Sequence, residues 1–125
     1  MSDEKTLTIA NLKETFAHFI KERDWQQFHT PKNLSMALAA EAAELMELFL
    51  WCASQESFAV AKTKQTEFEH ELADVFMYCI ALANATDTNL AKAIQTKMAL
   101  NAQKYPADKC KGKADKYTAY QDCKK

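Results

Sequence analysis

The chain has 125 residues, of which 48% are apolar and 26% charged, and its formal net charge is −1. These values predict one globular domain and argue against a dedicated nucleic-acid binder, because phosphate backbones are held by clustered positive charge. We expect no membrane span and no secretory signal, because apolar runs fall short of about 18 residues and the N-terminus is polar.

The composition favours helices along the whole chain. It includes 21 alanines but two valines, four isoleucines and one glycine. Alanine is the best helix former, whereas β-branched residues favour strands. We therefore expect an all-α fold, a bundle of about four helices that is completed by oligomerisation. The single glycine excludes glycine-rich phosphate loops, so any phosphate must be held by metal ions and side chains.

Helical periodicity and capping signals divide the chain into four predicted helices. Thr30-Pro31 has the pattern of an N-cap followed by proline at the first helical position. The residues after Pro106 are rich in lysine and are predicted to form a partly ordered tail, so the domain is expected to span residues 1–106 and the tail 107–125. The helices are predicted at about Thr6–Lys21, Pro31–Trp51, Phe58–Asn84 and, after the capping signal at residues 86–88, up to Tyr105. The third of them is expected to be irregular in its first half.

The second and third predicted helices carry paired acidic residues in stretches without lysine or arginine. Glu41 and Glu44 are three residues apart, as are Glu71 and Asp74, so each pair lies on one helical face. The apolar neighbours of the first pair predict a largely buried helix. Packing the two helices together would cluster four carboxylates, and like charges about 4 Å apart repel by roughly 4 kcal/mol at an effective dielectric constant near 20. Such oxygen donors favour Mg²⁺, or Mn²⁺, as a cofactor.

These acidic pairs resemble the signature of the MazG-like all-α nucleoside triphosphate pyrophosphohydrolases. Glu41-Ala42-Ala43-Glu44 is followed, after 26 residues, by Glu71-Leu72-Ala73-Asp74. The flanking sequence is similar to the dCTP pyrophosphatase branch in unbroken order over roughly residues 12 to 120. The further matching stretches are Arg23-Asp24-Trp25, Phe28-His29, Leu48-Phe49-Leu50-Trp51, Lys97-Met98, Asn101, Tyr105-Pro106 and Lys116-Tyr117-Thr118.

The resemblance implies a cytoplasmic enzyme that cleans the nucleotide pool. It would hydrolyse dCTP, or a somewhat broader range of (deoxy)nucleoside triphosphates, to the monophosphate and pyrophosphate. Glu41, Glu44, Glu71 and Asp74 would be the catalytic metal ligands, and Glu41 or Glu44 would orient the attacking water. The implied partners are the nucleotide and a second copy of the chain, in a dimer or a dimer of dimers. Four cysteines without a C-x-x-C spacing are expected to be reduced, as in a cytoplasm.

Three residues of the fourth predicted helix are candidates for phosphate binding. Lys97, Asn101 and Lys104 are spaced i, i+4 and i+7, which aligns two ammonium groups and an amide on one face. The resemblance adds Lys116 in the tail. The alternative is a solvated basic stripe that the helix dipole favours near a C-terminus.

Aromatic residues are candidates for the base pocket. Trp51 and Tyr78 resemble base-binding residues of the dCTP enzymes, and Trp25 and His29 lie in the matching loop; stacking on a ring contributes roughly 1–3 kcal/mol per base. The alternative is that the tryptophans fill the core. Nine residues before Trp25, where the dCTP enzymes carry a histidine near the base, this chain has Phe16. A base pocket without that polar group is expected to discriminate weakly between bases.

Two other functions fit parts of the pattern. A carboxylate di-iron bundle needs two E-x-x-H motifs, and this chain has one, at Glu67 and His70. A helical dimerisation or adaptor module would leave its acidic residues in water, and its stability would not respond to Mg²⁺.

Overall fold

A computed structural model describes residues 3–121, which form α-helices and short 3₁₀ turns without a β-strand. The predicted all-α class is therefore confirmed. Within residues 3–121, no helix combines the length and the apolar character that crossing a lipid bilayer requires. The helices are α1 (Ile9–Glu22), α2 (Pro31–Glu47), α3 (Ser57–Thr63), α4 (Gln65–Ala85), α5 (Leu90–Lys104) and α6 (Ala107–Cys110).

Side-chain caps begin helices α2 and α5. The Thr30 hydroxyl accepts a hydrogen bond from the backbone N–H of Asn33 at 3.2 Å, and Pro31 occupies the first helical position of α2, as predicted. Helix α5 begins after Asn89, whose side-chain oxygen accepts from the backbone N–H of Lys92 at 3.0 Å. The predicted capping signal at residues 86–88 was therefore placed slightly too early.

The predicted third helix is interrupted at Lys64, which separates α3 from α4. Lys64 has φ −105° and ψ 34°, outside the helical range. The Thr63 hydroxyl donates to the Ala59 carbonyl one turn back, a bond that bends helices. Helix α2 ends at Glu47, earlier than the predicted Trp51. The residues from Leu48 to Trp51 form turns.

The chain divides into two compact units, one that runs to Thr88 and one that starts at Asn89. In the first unit α4 packs on α2 and α1. The buried apolar residues of this unit are Ile20, Leu34, Ile80, Ala81 and Ala83. In the second unit the Tyr105 ring packs edge-on against the rings of Tyr117 and Tyr120. The domain boundary predicted at residue 106 stays a prediction. Residues 1–2 and 122–125, with Cys123, lie outside the described residues.

Several large apolar side chains of the first unit are exposed in the described part of the chain. The expectation that α2 is largely buried is wrong for the single chain, because Met36 and Met46 are 62% and 56% exposed. Trp51, which follows α2, and Phe58, at the start of α3, are 96% and 86% exposed. Large apolar side chains that are exposed to this extent are candidates for an interaction surface.

Candidate active site

Helices α2 and α4 bring the predicted acidic residues together. Each helix presents its pair on one face because the two members are three residues apart. One carboxylate oxygen from each of Glu41, Glu44 and Glu71 lies within 4.8 Å of the other two. The negative charge of Asp74 acts on both Glu41 and Glu71, so the fourth predicted carboxylate belongs to the same electrostatic cluster. We call these four residues the carboxylate cluster.

The carboxylate cluster is electrostatically unfavourable in the protein alone. Burial raises the pKa of Glu41, and the charges of Glu44, Asp74 and Glu71 raise it further. The pKa of Glu71 is also raised, by burial and then by the charges of Glu44 and Asp74. The Oε2 atom of Glu71 is buried without a hydrogen-bond partner. The ion pairs of the described residues lie elsewhere, where Glu22 meets His18 and Arg23.

The donor set of the cluster fits a hard divalent cation. Carboxylate oxygens are the ligands that Mg²⁺ and Mn²⁺ prefer, and a buried oxygen without a partner has a free lone pair to offer. Within residues 3–121 the group of metal-capable side chains consists of glutamates, and His70 is not a member. The donor chemistry therefore favours the magnesium-type site over the di-iron alternative.

A cavity of about 340 Å³ opens between α1, the loop before α2 and the C-terminal part of α4. It brings together Phe16 and His29, two of the predicted base-binding residues. The cavity shares a helical face with the carboxylate cluster, because Asp74, Tyr78 and Ala81 follow one another at i, i+4 and i+7 on α4. At 1.5 Å rise per residue, Ala81 lies about 10 Å along the helix from Asp74. The lining residues are Phe16, Ala17, Ile20, Gln26, His29, Ala81, Asn84 and Ala85.

Two polar lining residues, Gln26 and Asn84, were not predicted from the sequence. The side-chain nitrogen of Asn84 donates to the Lys13 carbonyl at 3.0 Å, which ties α4 to α1. One signal was available, because Asn84 is a polar residue in the otherwise apolar run 79–85. The sequence of this run does not indicate which of its residues contacts α1, so Asn84 could not be assigned to a pocket.

The other predicted base-binding residues lie outside the lining of this cavity. Trp25 packs edge-on against Phe19 with the ring centroids 5.9 Å apart and is 44% exposed. Tyr78 is half-buried. Trp51 is exposed almost completely, so the alternative that it fills the core is wrong for the single chain.

The predicted phosphate-binding residues belong to the second unit. Lys97, Asn101 and Lys104 are exposed on α5, and Lys116 is exposed just before the turn Tyr117–Tyr120. The ammonium group of Lys104 lies 5.0 Å from the centroid of the Tyr117 ring, at cation–π distance. The role of these four residues in phosphate binding stays a prediction.

Comparison with known proteins places these features in a family. Residues 36–119 match the MazG-like family. The chain is 40% identical over 113 residues to dCTP pyrophosphatase 1 of Rattus norvegicus and 37% identical over 113 residues to that of Homo sapiens. Each alignment covers 89% of this chain but 66% of the relative. The crystal structure of a pyrophosphatase from Archaeoglobus fulgidus superimposes with a TM-score of 0.77 at 34% identity, covering 85% of this chain and 99% of the other.

Proposed function

Since the chain belongs to the MazG-like family, we propose that it hydrolyses nucleoside triphosphates to the monophosphate and pyrophosphate. The proposed substrate is dCTP or a somewhat broader range of deoxynucleoside triphosphates, in keeping with relatives that are named dCTP pyrophosphatase. The single observation that carries the proposal is the convergence of Glu41, Glu44 and Glu71 on one point of the α2–α4 surface.

The proposed cofactor is Mg²⁺, with Mn²⁺ as a possible substitute, held by Glu41, Glu44, Glu71 and Asp74. The buried Oε2 atom of Glu71 supports this assignment because it has no hydrogen-bond partner in the described chain. When bound, the cation supplies charge neutralisation at the phosphate oxygens and increases the acidity of a coordinated water.

The reaction requires a water to attack the α-phosphorus while the bond from that phosphorus to the pyrophosphate oxygen breaks. We assign the orientation of that water, and acceptance of its proton, to Glu41 or Glu44.

The base compartment is proposed to be the cavity between α1 and α4. Its position about 10 Å along α4 from Asp74 suits a nucleotide whose phosphates lie at the carboxylate cluster. Its volume of about 340 Å³ is in the range of small-molecule pockets. Phe16 supplies an aromatic wall, and His29 a polar group.

We propose that the enzyme is a cytoplasmic homo-oligomer, a dimer or a dimer of dimers. The exposed apolar side chains of Met36, Trp51 and Phe58 support a self-interface, and an interface would cover them. Cys52, Cys79 and Cys110 are free thiols, in keeping with a reducing compartment. Light scattering after size-exclusion chromatography should give a multiple of the 14.2 kDa chain mass, and a monomer would contradict the oligomer.

The test of the activity is a panel of nucleoside triphosphates with Mg²⁺, scored for the phosphate products. Monophosphate plus pyrophosphate is expected. Release of orthophosphate and a diphosphate would contradict attack at the α-phosphorus.

The variant Glu44→Gln should abolish hydrolysis. The control variant Glu47→Gln should retain it, because Glu47 lies one turn further along α2 and is not among the three glutamates that converge. If neither hydrolysis nor thermal stability responds to millimolar Mg²⁺, the adaptor alternative is the better one.

A further inference from the structure

The cavity between α1 and α4 is lined by a side-chain amide whose orientation is fixed by a hydrogen bond, that of Asn84. The Lys13 carbonyl can only accept a hydrogen bond, so the Asn84 amide must turn its nitrogen towards Lys13, at 3.0 Å. The Oδ1 atom of Asn84 accepts no hydrogen bond among the described residues, so Oδ1 and the second N–H of the amide are the groups left to meet a ligand. Asn84 lines the cavity together with Gln26 and His29.

We infer that Asn84 determines base specificity by accepting a hydrogen bond from the exocyclic amino group of the base. This inference rests on the proposed function and on the cavity as base compartment. Cytosine carries an amino donor at position 4, whereas uracil and thymine carry a carbonyl acceptor there. A 4-oxo group placed at Oδ1 sets two acceptors against each other and leaves a polar group without a partner, so pyrimidines with a 4-oxo group are disfavoured at that atom.

Asn84 also provides a polar group in a cavity whose α1 side is lined by the aromatic ring of Phe16. The aromatic side chain at Phe16 removes a polar group from the α1 side of the cavity, and by itself it predicts weak discrimination between bases. Asn84 supplies a polar group from α4 to the same cavity. Because its amide is held by the α1 backbone, the acceptor is preorganised and loses little conformational entropy when a base binds.

The experiment compares kcat/KM for dCTP and dUTP in wild-type protein and three variants. In wild-type protein, dCTP should be preferred. Asn84→Ala should lower kcat/KM for dCTP about tenfold and leave that for dUTP unchanged or higher, because one hydrogen bond to an uncharged group is lost. Asn33→Ala is the matched control, since the Asn33 amide donates to the Phe28 carbonyl at 3.0 Å but does not line the cavity.

Asn84→Asp separates base recognition from a structural role. Both Asn84→Ala and Asn84→Asp lose the hydrogen bond to Lys13, so both should lower the melting temperature. Only Asn84→Asp retains an oxygen acceptor, and it should keep the preference for dCTP. If the two variants change the dCTP to dUTP ratio equally, or neither changes it, Asn84 has no role in specificity.

Binding of dCMP and dUMP, measured by calorimetry, tests the pocket without hydrolysis. Tighter binding of dCMP that disappears in Asn84→Ala supports the specificity role even if no triphosphate is hydrolysed, in which case only the proposed reaction fails. Hydrolysis of triphosphates with equal binding of dCMP and dUMP overturns the specificity role and leaves the reaction standing.

Discussion

The two halves of α4 differ in how they contribute to the protein. The C-terminal half carries Ile80, Ala81 and Ala83, which are almost completely buried, and Asn84, which ties α4 to the α1 backbone. The N-terminal half carries Glu71 and Asp74 beside the acidic pair of α2, and the raised pKa of Glu71 shows that its charge is unfavourable there. One end of the helix therefore stabilises the fold, while the other holds charged groups that the fold alone would not favour, as expected of a functional site.

The largest expected effect is a loss of activity on substitution in the N-terminal half of α4, which carries Glu71 and Asp74. Glu71→Gln removes one charged oxygen donor from the cluster and should lower kcat for pyrophosphate release by about a hundredfold or more, the scale seen when a charge-stabilising group is lost. Glu67→Gln is the control, because Glu67 is exposed on the same helix and lies outside the metal-capable group. Equal activity of wild-type protein and Glu71→Gln would remove Glu71 from the catalytic machinery.

A substitution in the buried C-terminal half of α4 should instead lower the stability of the protein while the acidic residues stay in place. Ile80 is 2% exposed, so Ile80→Ala should lower the free energy of unfolding by about 2–5 kcal/mol in urea titrations. Met77→Ala, at a position 40% exposed on the same helix, should cost clearly less. Similar losses for both variants would contradict the assignment of the core to this half of α4.

The acidic N-terminal half of α4 should also make the stability of the protein depend on pH. Burial and like charges raise the pKa of Glu71 above 4.5, so at intermediate pH the native state binds more protons than the unfolded state. The contribution of this group to stability is therefore complete below pH 4.5 and is lost as pH rises through the folded pKa.

Thermal denaturation of metal-free wild-type protein and Glu71→Gln over a range of pH tests this sign. The variant should gain a few degrees in melting temperature at neutral pH and nothing in acid. Millimolar Mg²⁺ should raise the melting temperature of wild-type protein and reduce that difference. A variant that is less stable at neutral pH without metal would contradict the unfavourable charge.

The smallest effect concerns the end of α4. Asp87 has φ 50°, in the left-handed region, where a residue with a side chain is mildly strained. Asp87→Gly should therefore raise the free energy of unfolding by up to about 1 kcal/mol, and Asp24→Gly at φ 53° after α1 gives an independent comparison. A loss of stability in both would indicate that the aspartate side chains compensate for the strain.

The helical class and the placement of each acidic pair on one helical face were predictable because both follow from local patterns. Composition predicted the class, and the Thr30-Pro31 cap predicted the start of α2. The packing of α2 on α4 then brings one oxygen from each of three carboxylates within 4.8 Å of the others. An irregularity was expected in the first half of the predicted third helix, but its position at Lys64 was not, because no glycine or proline marks it.

The polar lining of the cavity was missed for a different reason. The pairing of Asn84 with the Lys13 carbonyl joins residues 71 positions apart, and such a contact depends on how α1 packs against α4. The exposure of Trp51 was equally hidden, since an apolar sequence does not tell whether a side chain is buried within its own chain or against another.

The nearly complete exposure of Trp51 gives the protein an intrinsic optical label. Trp25 is the other tryptophan and is 44% exposed, so in the single chain both indoles are in contact with water. Indole emission moves to shorter wavelengths when water is displaced from the ring. Any process that covers Trp51 can therefore be followed by ultraviolet fluorescence in unmodified protein, and replacement of Trp25 by phenylalanine would make the signal specific to that single position.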